Sequence, residues 1–167
     1  MKWPDVERIH SDAAADLAAA AERVPREKWL VPRGEGKWSP AEVVEHLNLA
    51  YDVLLAELAG GKGMQVRTKF WLRMYLRLVY MPRLMRGGPF PEGVRAPREL
   101  RQPVANPDQS SAIAGFRDRA ARMTSGAAAA IADGRKVLLT HPYFGTSPLP
   151  DGVLFCARHI QHHRKQI

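Results

Sequence analysis

Two histidines near the end of the 167-residue chain stand four residues apart, in the stretch His159-Ile-Gln-His-His163. If this stretch is helical, residues i and i+4 share a face, so the two imidazoles stack one turn apart. Two stacked imidazoles can chelate one divalent metal ion, and a third ligand from another element would complete an open tripod. The spacing alone is a weak signal, because histidine pairs also arise by chance. A metal site therefore requires a third ligand and a scaffold.

The third ligand is expected on the helix whose start is best defined in the sequence. Ser39 and Glu42 have the spacing of a capping box, and the helix is predicted to run to Ala59 and to end at Gly60-Gly61. His46 lies beside the apolar stripe of this helix, so its side chain is expected to point towards the core or its edge. Alone, such a histidine is more often a core residue bonded to a backbone carbonyl. Together with the C-terminal pair, it becomes a candidate ligand.

Three neutral histidine nitrogens would leave the +2 charge of an ion uncompensated and at least one coordination position open. Such an ion lowers the pKa of a bound water or thiol by several units. Imidazole nitrogen suits zinc, nickel, iron, cobalt and copper, so the ligand set does not select the metal. Two assignments stay open. Glu42, one turn before His46, is a candidate partner for that ring. His162, about 100° from His163 around the helix axis, is an alternative ligand.

The composition is that of a single helical globular domain covering residues 1–167. Apolar residues make up 46% of the chain, alanine is abundant and β-branched residues are sparse, which favours helix over strand. No alternating run predicts a strand. An all-α fold is therefore expected, with one long proline-rich connection over residues 87–108. Helices are predicted over residues 4–24, 39–59, 67–85 and 108–133, and over a last segment that carries residues 153–167.

The third predicted helix is the most basic element of the chain. The residues predicted to face the core, from their helical spacing, are Phe70, Trp71, Met74, Leu78 and Met81. Lys69, Arg73 and Arg77 would then form a separate face, of a kind that binds membranes or phosphates but is more often a solvated surface. Its apolar residues also leave room for a homodimer. The long connection contains Arg95, Arg98 and Arg101. We expect these residues either to keep the protein soluble or to contact an anionic ligand.

The net charge of +8 favours anionic partners. Few basic residues form a dense run, so an anionic small molecule is favoured over nucleic acid. The single cysteine, Cys156, excludes an internal disulfide and fits a reducing compartment. The N-terminus lacks the apolar core of a signal peptide, and no apolar run has the length of a membrane span. A cytoplasmic protein with no membrane partner is expected.

Three segments resemble motifs of the DinB-like superfamily. The stretch WSPAEVVEHL at residues 38–47 resembles the first metal motif, and HPYFG at 141–145 with HIQHHRKQI at 159–167 resembles the closing motif. Their order and separation also fit, so the resemblance spans most of the chain. It implies an up-down four-helix bundle that binds a divalent metal through one histidine of the second helix and two of the last. Those positions match His46, His159 and His163 here.

Superfamily members with known activity include thiol-dependent transferases and isomerases that use low-molecular-weight thiols. The resemblance therefore implies a metal-dependent enzyme, a thiol S-transferase or a hydrolase, in which zinc, nickel, iron or cobalt activates a thiol or water. The alternative from a different class is a non-catalytic, stress-related module that binds a metal or ligand. A basic nucleic-acid binder that uses the Lys69, Arg73 and Arg77 face is a third and less favoured interpretation.

Overall fold

Four long helices form most of the frame in the computed structural model, which describes residues 1–91, 97, 100 and 107–167. They are α1 (Trp3–Glu22), α3 (Pro40–Leu58), α6 (Gln109–Ala132) and α7 (Leu149–Arg164). The shorter elements are α2 (Arg26–Trp29), α4 (Phe70–Tyr75), a π-helical turn (Leu76–Tyr80), α5 (Met81–Met85), β1 (Leu138–His141) and β2 (Gly145–Pro148). The predicted all-α class is confirmed.

The start of α3 is fixed by the predicted capping box. The Ser39 hydroxyl oxygen accepts from the backbone N–H of Glu42 at 3.2 Å, and the backbone N–H of Ser39 donates to the Glu42 carboxylate at 2.7 Å. Both bonds satisfy amides that have no partner inside the helix. Beyond the C-terminal end of the helix, Gly60 has a φ of +92°, a left-handed conformation that glycine adopts readily. The start and the end of this helix are therefore determined by its own sequence.

The helices share one apolar core. Helix α1 packs along both α6 and α7, and α3 packs along α6. Large side chains from these helices are buried at their mutual contacts: Leu17, Val44, Leu47, Tyr51, Phe116, Met123, Val153 and Ile160. Alanines such as Ala18 and Ala127 are fully buried in the same core. This accounts for the alanine-rich composition, since small side chains let long helices pack tightly.

The third predicted helix is confirmed from Phe70 to Met85, where α4, the π-helical turn and α5 follow one another without a gap. The prediction of its core face is wrong, since Trp71 and Leu78 are 82% and 70% exposed. Periodicity shows that a helix has an apolar face, but not whether that face meets a partner. Here the basic side packs instead: Arg77 donates from Nη1 to the carbonyls of Phe144 and Thr146, at 3.3 and 2.6 Å.

The expectation of no strand is also wrong. The stretch from Thr140 to Gly145 lies in an antiparallel hairpin of β1 and β2, paired from Leu138 with Pro148 to His141 with Gly145. Each strand has four residues, too few for an alternating pattern to be recognised. The hairpin is tied to α3 because the Glu57 carboxylate accepts from the backbone N–H of Thr140 at 2.8 Å. The side chain of Thr140 also donates to Glu57.

The long proline-rich connection is described in part. Leu100 is buried, while Arg95, Arg98 and Arg101 lie outside the described residues. Over the described part of the chain, none of the helices combines the length and the apolar character that crossing a bilayer requires.

Candidate metal centre

Three histidines from two helices meet at one point. His46 comes from α3, and His159 and His163 come from successive turns of α7. The Nε2 atom of His159 lies 3.5 Å from Nε2 of His46 and 2.9 Å from Nε2 of His163. One nitrogen from each of the three rings lies within 4.8 Å of the other two. The residues singled out from the sequence are therefore together in space.

Hydrogen bonds outside the group fix which nitrogen each ring presents. Nδ1 of His46 lies 3.0 Å from the carbonyl oxygen of Leu100, and Nδ1 of His163 lies 2.8 Å from Oε1 of Gln166. Each of these oxygens can only accept, so both Nδ1 atoms carry the proton. A neutral ring with a protonated Nδ1 has a lone pair on Nε2. The Nε2 lone pairs of His46 and His163 are thus both available to a metal ion.

The spacing of the nitrogens suits a transition metal. Imidazole nitrogens lie about 2.0–2.1 Å from zinc, so two ligands at a tetrahedral angle are about 3.3 Å apart. Two of the three separations, 3.5 and 2.9 Å, bracket that value. Without a cation, a proton on Nε2 of His159 could form a full hydrogen bond to the Nε2 lone pair of His46 or to that of His163, but not to both. A cation at the centre accepts all three lone pairs at once, so the donor set fits a divalent transition metal.

Burial keeps these rings neutral. Desolvation lowers the pKa of His163 to about 3 and lowers that of His46, although the bond to Leu100 opposes the change. The pKa of His159 falls well below its usual value through desolvation and then through repulsion from the neighbouring imidazoles. Among the described residues, no carboxylate or thiol joins the group. An ion held by three neutral nitrogens keeps its full positive charge.

Two further side chains fix the geometry of the centre, and sequence reasoning missed both. The indole of Trp38 stacks on His163, with ring planes 7° apart and centroids at 5.9 Å, and also contacts His46 at 4.9 Å. Gln166 accepts from His163 through Oε1, and its amide nitrogen donates to His162. Trp38 adjoins the capping box and Gln166 stands three residues after His163, so both lay within the motifs that the sequence singled out.

The two assignments left open by the sequence resolve geometrically. Glu42 is not the partner of His46: its carboxylate accepts from the backbone and hydroxyl of Ser39, and the carbonyl of Leu100 takes the expected place. His162 is half-buried and its ring lies 4.9 Å from Phe90, outside the nitrogen group. Its position on α7 directs it away from the centre, whereas that of His163 directs it inwards.

The centre opens on a cavity of about 1140 Å³. Most of the wall is apolar and includes Leu76, Met81, Leu84, Phe90, Phe144 and Phe155. Three cationic residues that the sequence did not single out also line it: Arg33, Lys37 and Lys165. Arg33 donates from Nη1 to the backbone carbonyl of Lys165 at 3.2 Å, which joins the loop before α3 to the end of α7. Both segments are distant in sequence, which is why their convergence was not predictable.

Two other candidates in the cavity wall have ordinary packing roles. His141 accepts from the backbone N–H of Tyr143 and packs against Phe155, and burial lowers its pKa to about 4. Burial raises the pKa of the Cys156 thiol to about 12, so this residue is a neutral thiol and not a reactive thiolate. Cys156 is buried and packs as a core residue.

The fold and the centre define a class of protein: an all-α frame in which two helices bring three neutral histidines to the wall of a cavity. The chain belongs to the DinB superfamily, whose family model matches residues 10–167. The resemblance seen in the sequence is thereby confirmed. Comparison with curated proteins and with solved structures gives no match.

Proposed function

We propose that this protein is a metal-dependent enzyme of the thiol S-transferase or hydrolase type. His46, His159 and His163 would hold a divalent transition metal: zinc, nickel, iron or cobalt. The observation that carries the proposal is the convergence of three neutral imidazoles, two buried and one half-buried, on the wall of a large cavity. A purely structural site is usually closed by four protein ligands, whereas three leave a position for a substrate.

The bound metal would lower the pKa of a coordinated water or thiol towards neutrality. The protein's own residues set the conditions for this chemistry. Leu100 and Gln166 hold the rings of His46 and His163 in the tautomer that presents Nε2. Trp38 stacks on His163 and restricts its rotation. Because the rings are held before a substrate arrives, little reorganisation is needed at the moment of reaction.

The cavity suits a cosubstrate with an anionic part and a second substrate with an apolar part. Arg33, Lys37 and Lys165 supply positive charge to the cavity wall, as a carboxylate-bearing low-molecular-weight thiol requires. Phe90 and Phe155 pack against His159, beside the centre, and provide apolar contact for an electrophile. Since the only cysteine has a pKa of about 12, the reactive thiol has to come from a cosubstrate.

Turnover measurements test the proposal. Protein reconstituted with each metal in turn is incubated with an electrophilic substrate and a panel of biological thiols, or with ester and amide substrates alone. We expect turnover that requires metal and is lost in His159→Ala, whereas Gln161→Ala, which removes only a bond to Arg158 on the same helix, keeps its activity. Metal binding without turnover of any substrate class would contradict the enzyme and favour the non-catalytic binding module.

A further inference from the structure

The segment from Lys69 to Arg86, here called the arm, presents an apolar surface to solvent. It comprises α4, the π-helical turn and α5. Five of its large apolar side chains are more than half exposed: Phe70, Trp71, Leu72, Tyr75 and Leu78. Monomeric proteins rarely expose so many large apolar groups on neighbouring turns, and such patches usually mark a binding surface.

One side of the arm contacts the rest of the protein, although Leu84 is the one buried residue between Lys69 and Arg86. Trp71, Tyr75 and Leu78 recur at a spacing of four and three residues, which places them on one side of the helical segment. On the other side Leu84 is 1% exposed, and Arg77 donates to two carbonyls of the β-hairpin region. Arg73 Nη1 lies 3.5 Å from the carbonyl of Thr68 and its guanidinium stands 5.8 Å from the Phe70 ring.

The net charge of the whole protein is concentrated around this surface. Residues 58–91 contain seven lysines and arginines and no acidic residue, so they carry seven of the eight net positive charges. The remaining 133 residues hold 18 basic and 17 acidic side chains and are nearly neutral. Lys69, Arg77, Arg83 and Arg86 are exposed on the arm itself. The apolar surface is therefore bordered by positively charged side chains.

An apolar surface with lysine and arginine beside it suits some binding partners better than others. A second copy of the chain would bring the same positive charge against itself, which is unfavourable. A nucleic acid would use the cations and aromatic rings but gives no reason for exposed Leu72 and Leu78. Aromatic and aliphatic side chains beside lysine and arginine are what an anionic bilayer surface binds, because the rings enter the interface while the cations contact headgroups.

We propose that the arm docks this protein on the surface of a negatively charged lipid bilayer. The absence of a spanning helix excludes insertion of the described helices across the bilayer but not adsorption of one face. Leu76, Met81 and Leu84, from the same segment, line the cavity described above. A docked bilayer would thus lie against the outer side of the cavity wall. The proposal does not depend on the metal or on the reaction.

Co-sedimentation with vesicles tests the docking. The purified protein is mixed at low ionic strength with vesicles of phosphatidylcholine alone or of phosphatidylcholine with phosphatidylglycerol. We expect binding to the anionic vesicles only, falling as salt is added. The double variant Trp71→Ser/Leu78→Ser should lose most of this binding. Lys69→Gln/Arg83→Gln should lose about 25-fold in partition coefficient, since each cation near an anionic surface contributes about fivefold.

Matched variants control for loss of fold or of charge in general. Leu138→Ser removes an apolar side chain that is 52% exposed on the β-hairpin, and Arg135→Gln/Lys136→Gln removes the same charge outside the arm. Both should bind vesicles as the unmodified protein does, and every variant should keep its helical circular dichroism. Failure of the unmodified protein to bind anionic vesicles overturns the proposal. So does equal loss of binding in the control variants.

Two other outcomes would also overturn it by identifying a different partner. Sedimentation equilibrium could show a dimer that Trp71→Ser/Leu78→Ser converts to a monomer, which would make the arm an interface between copies. Duplex DNA could displace the protein from vesicles and bind it in a manner that depends equally on Trp71 and Leu78. A monomer that binds anionic vesicles through the arm, and DNA only through charge, supports the proposal.

Discussion

The histidines differ in what the second nitrogen of each ring contacts. His46 and His163 donate outwards from Nδ1, so each has a lone pair on Nε2, beside Nε2 of His159. His10 uses both nitrogens: Nδ1 bonds to Thr124, whose hydroxyl donates to the carbonyl of Ala120, and Nε2 lies 2.8 Å from the Tyr51 hydroxyl. A fully bonded ring has no lone pair for a metal. Both His10 and His46 are buried histidines, so residue type and burial alone would not have shown which of them is available to a metal.

Burial of His10 predicts a dependence of stability on pH. Its pKa falls from 6.5 to about 4 in the folded protein. Between these values the unfolded chain binds more protons, so this contribution is fully present above pH 6.5 and is lost as the pH falls towards 4. Going from pH 7 to pH 5, the free energy of unfolding should fall by about 2 kcal/mol more in the unmodified protein than in His10→Gln. Urea titrations with chelator present measure this. Parallel pH profiles for the two proteins would contradict it.

Gln166 is predicted to position a ligand without being one. Its Oε1 accepts from Nδ1 of His163 and so holds the ring in the tautomer that presents Nε2. Gln166→Ala should weaken zinc affinity by about 10- to 100-fold while the protein still binds one ion. Competition with a chromophoric chelator gives the affinity. Gln161→Ala, which removes a bond to Arg158 on the same helix, is the control and should leave the affinity unchanged.

At the level of elements, substitution of Gly152 tests how closely α7 packs on the hairpin, and substitution of Gly115 in α6 is the comparison. A Cβ on Gly152 would lie 2.8 Å from Cβ of Leu139, an atom fixed to the strand backbone. A Cβ on Gly115 in α6 would lie 2.8 Å from the flexible end of the Arg119 side chain and 4.0 Å from Asn48. Gly152→Ala should therefore destabilise the protein by about 1–3 kcal/mol. Gly115→Ala should be neutral or stabilising by up to about 1 kcal/mol, because alanine favours helix. Thermal unfolding compares the two, and equal changes would refute the packing argument.

The elements also show which signals in a sequence determine a structure. Helix α3 was predictable because Ser39 and Glu42 cap it locally and Gly60 ends it. The arm and the hairpin were not predictable, since whether Trp71 is covered depends on parts of the chain distant in sequence. Contacts between distant parts of the sequence also limit what could be predicted of the metal centre. Spacing identified His159 and His163, but the carbonyl that orients His46 comes from Leu100, 54 residues away.

At the level of the whole molecule, the centre lies at one side of the helical frame. Two of the four long helices, α6 and α1, bury large side chains such as Phe116, Met123 and Leu17 and provide no histidine to the centre, while α3 and α7 provide the histidines and also bury Tyr51 and Ile160 in the core. The three histidines occupy the side where α3 and α7 face the cavity. Removing one imidazole should consequently leave the helical frame folded, so a loss of metal can be assigned to the centre and not to unfolding.

The central claim is that His46, His159 and His163 together bind one divalent metal ion. Protein saturated with zinc, nickel or cobalt and then freed of unbound ion can be analysed for metal per chain by mass spectrometry. The account predicts one ion per chain for the unmodified protein and for His162→Ala, and little or none for alanine variants of each of the three histidines, with helical content unchanged. Equal metal in the unmodified protein and in His159→Ala/His163→Ala would contradict the account.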